Sequence, residues 1–196
     1  SMWRIYCVFI GYAFGCVLTA EIVSRKRARR SSFDVGTGNP GMANIGAQLG
    51  KKSAAIVLGG DLVKTFLACL AAHLFFPQYG TLSAAYAGLG AVLGHDYPVW
   101  HRFKGGQGVA CTCAMLACIS LPYAAASCAI GLIVSVISGY LAIGALIIPA
   151  SFLIPAFFMG AECGIVCLAG LALMCISQLP ALKKIANGEQ KKAFRK

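Results

Sequence analysis

Two stretches of the sequence combine glycine, asparagine, threonine and lysine, residue types that together can hold a small anion. The first is GTGNPGMAN, residues 36–44, and the second is GHDYPVWHRFKGGQG, residues 94–108. Glycine permits positive φ, so that backbone N–H groups converge on an anion, while a nearby lysine supplies positive charge. Neither stretch has the pattern of a nucleotide-binding loop or of a dinucleotide fingerprint. The composition indicates a phosphate site of another kind, although ordinary loop glycines that join helices would look the same.

Charged and imidazole side chains next to these stretches are further candidates for chemistry. Asp61 and Lys64 stand three residues apart in the apolar segment 53–76, where one helix face would let them pair. Charged groups in such a segment are costly and usually face a functional interior, but a structural ion pair near the segment's end is the alternative. His95 and His101 flank DYPVW. Each is a candidate general base or a histidine at a helix end, whereas His73 is expected to be structural.

The composition of the chain is that of a membrane protein. The 196 residues are 59% hydrophobic and only 12% charged, with a mean hydropathy of +0.76, whereas soluble domains have about 25% charged residues. Seventeen basic residues against six acidic ones give a net charge of +11. Anionic lipid headgroups or phosphorylated substrates would balance that charge, and we expect no nucleic-acid partner. The ten cysteines lie in apolar runs without CxxC spacing, so we expect neither a metal site nor a cofactor.

Hydropathy predicts an all-α integral membrane protein with seven transmembrane helices in one domain, residues 1–196. Each predicted span approaches or reaches the length that a bilayer requires, about 20 residues. Pro122 and the Ser138-Gly139-Tyr140 interruption are weak boundaries, because proline and glycine do not always end a helix, so six or eight spans remain alternatives. The predicted spans are 3–23, 53–76, 82–93, 109–121, 123–137, 141–158 and 163–179.

Charge predicts the orientation. The basic runs 25–30, 51–52, 102–104 and 183–196 hold all the lysines and arginines except Arg4 and Lys64. Loops rich in these residues stay cytoplasmic, and seven spans place all four runs on one side if the N-terminus is outside and the C-terminus is cytoplasmic. The first span is expected to be an uncleaved helix rather than a signal peptide. On this topology, residues 34–52, 94–108 and 138–140 are expected to be non-helical cytoplasmic loops, two of them rich in glycine.

Three motifs in order resemble those of the bacterial membrane-embedded acyl-phosphate:glycerol-3-phosphate acyltransferases. That family has GSGNPGATN, then GD…LKG in the next helix, then GHxFPxFxxFKGGKGVAT, and this chain has GTGNPGMAN, GGDLVKT and GHDYPVWHRFKGGQGVAC. The resemblance covers residues 33–115 and implies seven spans in the bacterial cytoplasmic membrane. It also implies that the acyl group of acyl phosphate is transferred to glycerol 3-phosphate, which gives lysophosphatidic acid for phospholipid synthesis.

The resemblance also assigns the site by position. Lys104, His95 and Thr37 become the candidate catalytic residues, with Thr37 in place of the motif's serine. The residues expected to bind substrate or phosphate are Gly36, Gly38, Asn39, Gly41, Asn44, Lys64, Gly105, Gly106 and Gly108, and no metal ligand is expected.

Several motif positions depart from the family. Each departure removes a polar or cationic group, and alanine cannot replace the charge or the bidentate fork of an arginine. Two hypotheses follow: an active acyltransferase in which Lys51, Lys52 or Lys183 compensates, or a catalytically impaired relative that binds a lipid or phosphorylated ligand. A transporter has little support because the polar residues gather at one face of the membrane. The departing residues are Ala43, Ala47, Gln107, Gly139, Ala142, Ala145, Gln178 and Ala181.

Overall fold

The computed structural model describes residues 1–193, so the predicted basic run 183–196 ends outside the described residues. Within this range the secondary structure is helical. The α-helices are α1 Met2–Gly15, α2 Thr19–Ala28, α3 Met42–Leu49, α4 Lys51–Phe75, α5 Thr81–Asp96, α6 Val109–Ile119, α7 Leu121–Ser138, α8 Leu141–Met159 and α9 Ala161–Ala186. Three single turns of 3₁₀ helix lie between them, at Ser32–Asp34, Pro77–Tyr79 and Val99–His101.

The chain is a multi-pass membrane protein, which confirms the predicted all-α membrane class. Five helical segments are long and apolar enough to cross a bilayer. Each predicted span overlaps a helix, but α5 has 16 residues and α6 has 11, so the count of seven stays a prediction. The five segments are Met2–Ala28, Lys51–Phe75, Leu121–Ser138, Leu141–Met159 and Ala161–Ala186.

The first predicted span, 3–23, is interrupted between α1 and α2. The interruption leaves backbone carbonyls without helical partners, and two distant side chains bind them. The Lys64 ammonium donates to the carbonyls of Gly15 and Val17 at 3.1 and 2.7 Å, and the Trp100 indole donates to that of Cys16 at 2.9 Å. Because the partners come from other elements, the local sequence carried no signal for the break.

The prediction that residues 34–52 form a non-helical loop is wrong for its second half. Residues 42–49 form α3, which Gly50 ends at a φ of +84°, and α4 begins at the next residue. The helix forms because it has an apolar face: Ile45 is fully buried in a cluster with Ala20, Val23 and Val57 from α2 and α4. Likewise, residues 94–96 of the second predicted loop belong to the last turn of α5.

Helices α1 and α5 pack with their backbones nearly touching. A Cβ atom added to Gly11 would lie 1.9 Å from the carbonyl oxygen of Ala87, and one added to Gly94 would lie 2.3 Å from that of Tyr12. Small residues spaced by four allow such close approach between membrane helices. The same spacing recurs on both helices, in the pairs Gly11 and Gly15 on α1 and Gly90 and Gly94 on α5. This packing sets the end of α1 against the end of α5.

A second, larger core fills the space between α5, α6, α8 and α9. Phe152 and Met115 are fully buried there, together with Val92, Leu116 and Val166. The core holds α9 beside α6, so that the C-terminal half of α9 reaches the loop that precedes α6.

Candidate functional site

The first glycine-rich loop is held in shape by Asn44, a buried residue in the first turn of α3. Its amide oxygen accepts a hydrogen bond from the backbone N–H of Thr37 at 2.9 Å. Its amide nitrogen donates to the carbonyl oxygens of Val35 and Asn39 at 2.8 and 2.9 Å. Gly36 has a φ of +58°, and a Cβ there would lie 2.2 Å from the Asn44 amide oxygen, so only glycine fits. Asn44 therefore shapes the loop, with its hydrogen-bonding groups directed at backbone atoms.

The second glycine-rich loop folds directly onto the end of α5. The N–H of Gly106 donates to the carbonyl of His95 at 3.0 Å, and a Cβ on Gly105 would lie 2.1 Å from the same oxygen. Just before these glycines, Arg102 and Phe103 adopt positive φ values of 53° and 59°. Positive φ is costly for residues other than glycine, and such strain clusters at functional sites. Lys104 follows the strained pair, and its side chain is exposed.

The two loops meet through one side-chain hydrogen bond. The Asn39 amide nitrogen donates to the Gln107 amide oxygen at 3.1 Å, although the two residues are 68 positions apart. From the other side, the Ser177 hydroxyl on α9 donates to the Gln107 backbone carbonyl at 3.1 Å. Gln107 thus joins both loops and α9 at one point.

A buried ionic cluster lies behind the second loop. The Lys64 ammonium is 2.9 Å from an Asp61 carboxylate oxygen, as the spacing of the two residues predicted, and 2.8 Å from Nδ1 of His95. Its other neighbours are the carbonyls of Gly15 and Val17. All three titratable side chains are buried, and they find their polar contacts in one another, in these carbonyls and in the Thr19 hydroxyl, which donates to Asp61 at 3.3 Å. The cluster connects the break after α1 with the last turn of α5.

The donor set Asp61, His95 and Cys111 would on distance alone suit a metal ion, since their ligand atoms lie within 4.8 Å of one another. The Lys64 ammonium lies against two of these three residues and already balances the Asp61 charge. A divalent cation there would face that ammonium at close range. The cluster therefore suits an ion pair better than a metal.

The structure places the predicted site residues at different depths. Asn39 contacts the second loop at Gln107, the residue that follows Gly105 and Gly106. The Lys64 ammonium is instead directed at the carbonyls of Gly15 and Val17 behind this loop. Thr37 and Lys104 have exposed side chains, and no described residue binds the Lys104 ammonium. Exposed residues are Gly36, Thr37 and Lys104; half-buried ones are Gly38, Asn39, Gly41, Gly105 and Gly106; buried ones are Asn44, Lys64, His95 and Gly108.

Two polar residues near the site have no assignment from the sequence pattern. Both carboxylate oxygens of Asp96 and the hydroxyl of Thr112 are buried, and no group within residues 1–193 hydrogen-bonds them. Asp96 faces Gly108, where an added Cβ would lie 2.7 Å from a carboxylate oxygen. Nothing in the sequence marks these groups, because their burial depends on how α5 and α6 pack. The linking role of Gln107 was equally hidden, since its partner lies on another loop.

The departing motif positions are spread over the same end of the molecule. Ala142, Ala145 and Gln178 are buried, and the Gln178 amide nitrogen donates to the sulfur of Met174 at 3.7 Å. Gly139 has a φ of +85°, and a Cβ there would lie 3.0 Å from the side chain of Lys192. Lys192, a lysine absent from the compensation hypothesis, therefore packs its side chain against that position.

Two apolar surface grooves lie elsewhere. One, of about 320 Å³, is lined by Leu62, Val63, Phe66, Leu67, Ala114 and Ala117 on α4 and α6. The other, of about 340 Å³, is lined by Leu153, Ile154, Phe157 and Phe158. None of the predicted site residues lines either groove, so the candidate site rests on the two loops.

Fold and loops together define a multi-pass helical membrane protein with a candidate anion site at one end of its helices. The family model described as "Glycerol-3-phosphate acyltransferase" matches residues 5–188. The chain belongs to this family, and the predicted family is confirmed.

Individual relatives agree over most of the chain. A glycerol-3-phosphate acyltransferase 1 of Lactobacillus acidophilus is 39% identical, over 84% of this chain and 80% of its own. A glycerol-3-phosphate acyltransferase of Ralstonia nicotianae is 36% identical, over 92% of both chains. The one from Bordetella pertussis is 34% identical, over 92% of this chain and 84% of its own.

Solved structures share the fold. The crystal structure of PlsY, an integral membrane glycerol 3-phosphate acyltransferase, in its glycerol 3-phosphate form superposes with a TM-score of 0.85. The match covers 96% of this chain and 94% of that one at 24% identity. Its lysophosphatidic acid form gives a TM-score of 0.84. At this identity the likeness concerns the arrangement of the helices.

Proposed function

We propose that the chain transfers the acyl group of an acyl phosphate to a hydroxyl of glycerol 3-phosphate, releasing phosphate and lysophosphatidic acid. Family membership supports the reaction, and one observation supports its location. Two glycine-rich loops meet through Asn39 and Gln107, beside a lysine whose ammonium has no partner among the described residues. This arrangement suits a small dianion at the membrane surface.

The residues divide into those that touch substrate and those that position them. Lys104, Asn39 and the Thr37 hydroxyl bind phosphate oxygens, together with the backbone N–H groups of the two loops that donate to no described residue, among them those of Gly36, Asn39, Gly105 and Gln107. Asn44 keeps the first loop in shape through its three hydrogen bonds. Lys64 acts through His95, because its donors are directed at protein acceptors.

The reaction suits a site of this kind because acyl phosphate is already activated. Attack of the acceptor hydroxyl on the acyl carbon forms the ester bond and breaks the bond to phosphate, which leaves with the electron pair and takes up the hydroxyl proton. No covalent intermediate is needed. Acceleration then comes from holding the two substrates together and from donors that stabilise the developing negative charge.

The chain works as a single transmembrane domain with seven spans, its N-terminus outside and both loops facing the cytoplasm. Short α5 and α6 complete the count, and the bacterial cytoplasmic membrane is the location. The charges support this orientation: Arg25, Lys51, Lys104 and Lys183 are exposed at the same end of the helices as the loops. Loops rich in lysine and arginine remain on the cytoplasmic side.

Affinity tags at each terminus, probed from outside intact cells, test this orientation. A C-terminal tag that is accessible from outside would contradict it.

The decisive experiment measures product formation by the purified chain in detergent. Incubated with acyl phosphate and glycerol 3-phosphate, it is expected to release lysophosphatidic acid and phosphate in equal amounts. Lys104→Ala is expected to lower kcat/KM by about 10²–10³, the range seen when one charge-stabilising donor is lost. Lys184→Ala is the matched control, since that lysine is exposed in the last turn of α9.

Two outcomes would contradict the proposal. Turnover with acyl coenzyme A but none with acyl phosphate would assign a different donor. No product from the unchanged protein with either donor would favour the catalytically impaired relative that the departures at Ala47, Gly139 and Gln178 suggest.

A further inference from the structure

His95 is held at only one of its two ring nitrogens. Nδ1 lies 2.8 Å from the Lys64 ammonium and 3.6 Å from a carboxylate oxygen of Asp61. No residue within 1–193 hydrogen-bonds Nε2. Yet Nε2 is not among the fully buried unpartnered polar atoms, which are the two Asp96 oxygens and the Thr112 hydroxyl. The outer nitrogen of the ring is therefore within reach of solvent or a ligand.

The contact with Lys64 fixes which nitrogen carries the proton. A hydrogen bond of 2.8 Å between two nitrogens needs one donor and one acceptor. Lys64 is the donor, because an ammonium has N–H groups and no lone pair, and the buried Asp61 carboxylate lies 2.9 Å from it. Nδ1 must then accept with its lone pair. A neutral imidazole whose Nδ1 accepts carries its proton on Nε2.

Nε2 faces the second glycine-rich loop. A Cβ atom added to Gly106 would lie 2.1 Å from Nε2, so the loop backbone packs directly against this edge of the ring and only glycine allows the approach. The Gly106 N–H is taken up by the His95 carbonyl at 3.0 Å, which fixes the loop over the ring. Gln107, the residue that binds Asn39, comes next along the chain. The Nε2–H therefore lies beside the point where the loops meet.

From this geometry we infer that His95 is a hydrogen-bond donor to a substrate oxygen, through Nε2–H, and is not the general base of the reaction. Lys64 is the positioning residue: its ammonium occupies Nδ1 and holds the ring in the Nε2–H form. The inference rests on the proposed function for the identity of the substrate, whose phosphate or acyl carbonyl oxygen accepts the bond. A base would need an unprotonated nitrogen facing the substrate, and here that nitrogen faces Lys64.

Two variants separate a donor from a base. In His95→Gln the side-chain amide nitrogen reaches the place of Nε2 and still donates, whereas the shorter side chain of His95→Asn does not reach it. Neither amide takes up a proton. We expect His95→Gln to keep kcat/KM within about tenfold of the unchanged protein and His95→Asn to lose about 10²–10³. An equal loss in both variants, in the range of about 10²–10⁴ expected for a lost base, would overturn the inference.

The tautomer can be observed without turnover. NMR of histidine labelled at its ring nitrogens, in a His73→Gln/His101→Gln background, isolates the His95 signals. Nε2 is expected to appear protonated and Nδ1 unprotonated. In Lys64→Met, the tautomer with the proton on Nδ1 is expected to become populated. A protonated Nδ1 in the unchanged protein would overturn the inference, and that spectrum suffices if Lys64→Met does not fold.

The two measurements also separate this inference from the proposed function. If the unchanged protein shows Nε2–H but converts neither donor, the substrate assignment fails and the positioning of His95 by Lys64 stands. If it converts acyl phosphate while Nδ1 is protonated, the acyltransferase stands and the donor role fails.

Discussion

Asn44 shows how one buried side chain can shape a binding loop. Its amide adds three hydrogen bonds to the backbone of the first glycine-rich loop, with partners at Val35, Thr37 and Asn39. The identification of this residue by motif position is compatible with that geometry, and its role in activity stays a prediction.

We expect Asn44→Ala to lower the free energy of unfolding by about 2–4 kcal/mol, because the Thr37 N–H loses its acceptor and the Val35 and Asn39 carbonyls each lose one of two donors. The unfolding midpoint in detergent should fall by about 5–15 °C for a chain of this size. Met42→Ala, an exposed change on the same helix, is the control and should stay within about 0.5 kcal/mol. Similar midpoints for the two variants would show that the Asn44 bonds do not hold the loop.

Gln107 offers a second test at the residue scale. Gln107→Ala removes the acceptor for Asn39 and should lower kcat/KM by about 3–10-fold, the equivalent of one neutral hydrogen bond. Gln107→Glu keeps an acceptor but adds negative charge beside the proposed anion site. The decrease in kcat/KM for Gln107→Glu should be larger, about 10–100-fold. It should become smaller as salt is added, because salt screens exposed charges. A Gln107→Glu variant as active as the unchanged protein would place the phosphate elsewhere.

At the scale of elements, the contact between α1 and α5 decides where the site forms. The glycines at the contact bring the end of α1 close enough for Lys64 to reach both its carbonyls and His95. Sequence alone indicated small residues in two apolar helices. It could not indicate that these two helices are neighbours.

Gly11→Ala should therefore destabilise the fold. The new Cβ would lie 1.9 Å from the Ala87 carbonyl oxygen, and backbone cannot move aside as a flexible side chain would. We expect a loss of about 1–3 kcal/mol, or about 3–10 °C in the unfolding midpoint, together with reduced activity. Gly59→Ala is the matched control, because nothing lies within 4 Å of a Cβ there and alanine favours the helix. If both variants behave alike, the close contact is not required.

At the scale of the whole molecule, stability and chemistry lie at opposite ends of the helices. Arg4 on α1 donates to both carboxylate oxygens of Glu162 on α9, at 2.5 and 3.0 Å, and the Tyr86 hydroxyl donates to the same carboxylate at 2.9 Å. These residues lie in the early turns of α1, α5 and α9, far along each helix from the two loops. The cluster ties together three helices that the chain joins only indirectly.

A double-mutant cycle with Arg4→Ala and Glu162→Ala should give a coupling energy of about 0.5–1 kcal/mol, since both side chains are about one-third exposed. Activity at a temperature where all variants are folded should be unchanged. Thermal unfolding of the single and double variants measures the first quantity, and lysophosphatidic acid formation measures the second. A folded single variant without activity would show that this end also takes part in catalysis.

The sequence by itself determined the membrane class, the family and the pairing of Asp61 with Lys64. Those features depend on composition, on motif order and on neighbours along one helix, which a linear sequence records. Only the tertiary structure decided that Lys64 binds a carbonyl 49 residues away and a histidine 31 residues away, and that Asn39 binds Gln107 across 68 residues. It also decided that the first span breaks and that α3 is helical. Such contacts form when packed helices bring unpaired polar groups into the same buried space, where each must find a partner, and the order of residues does not specify which one.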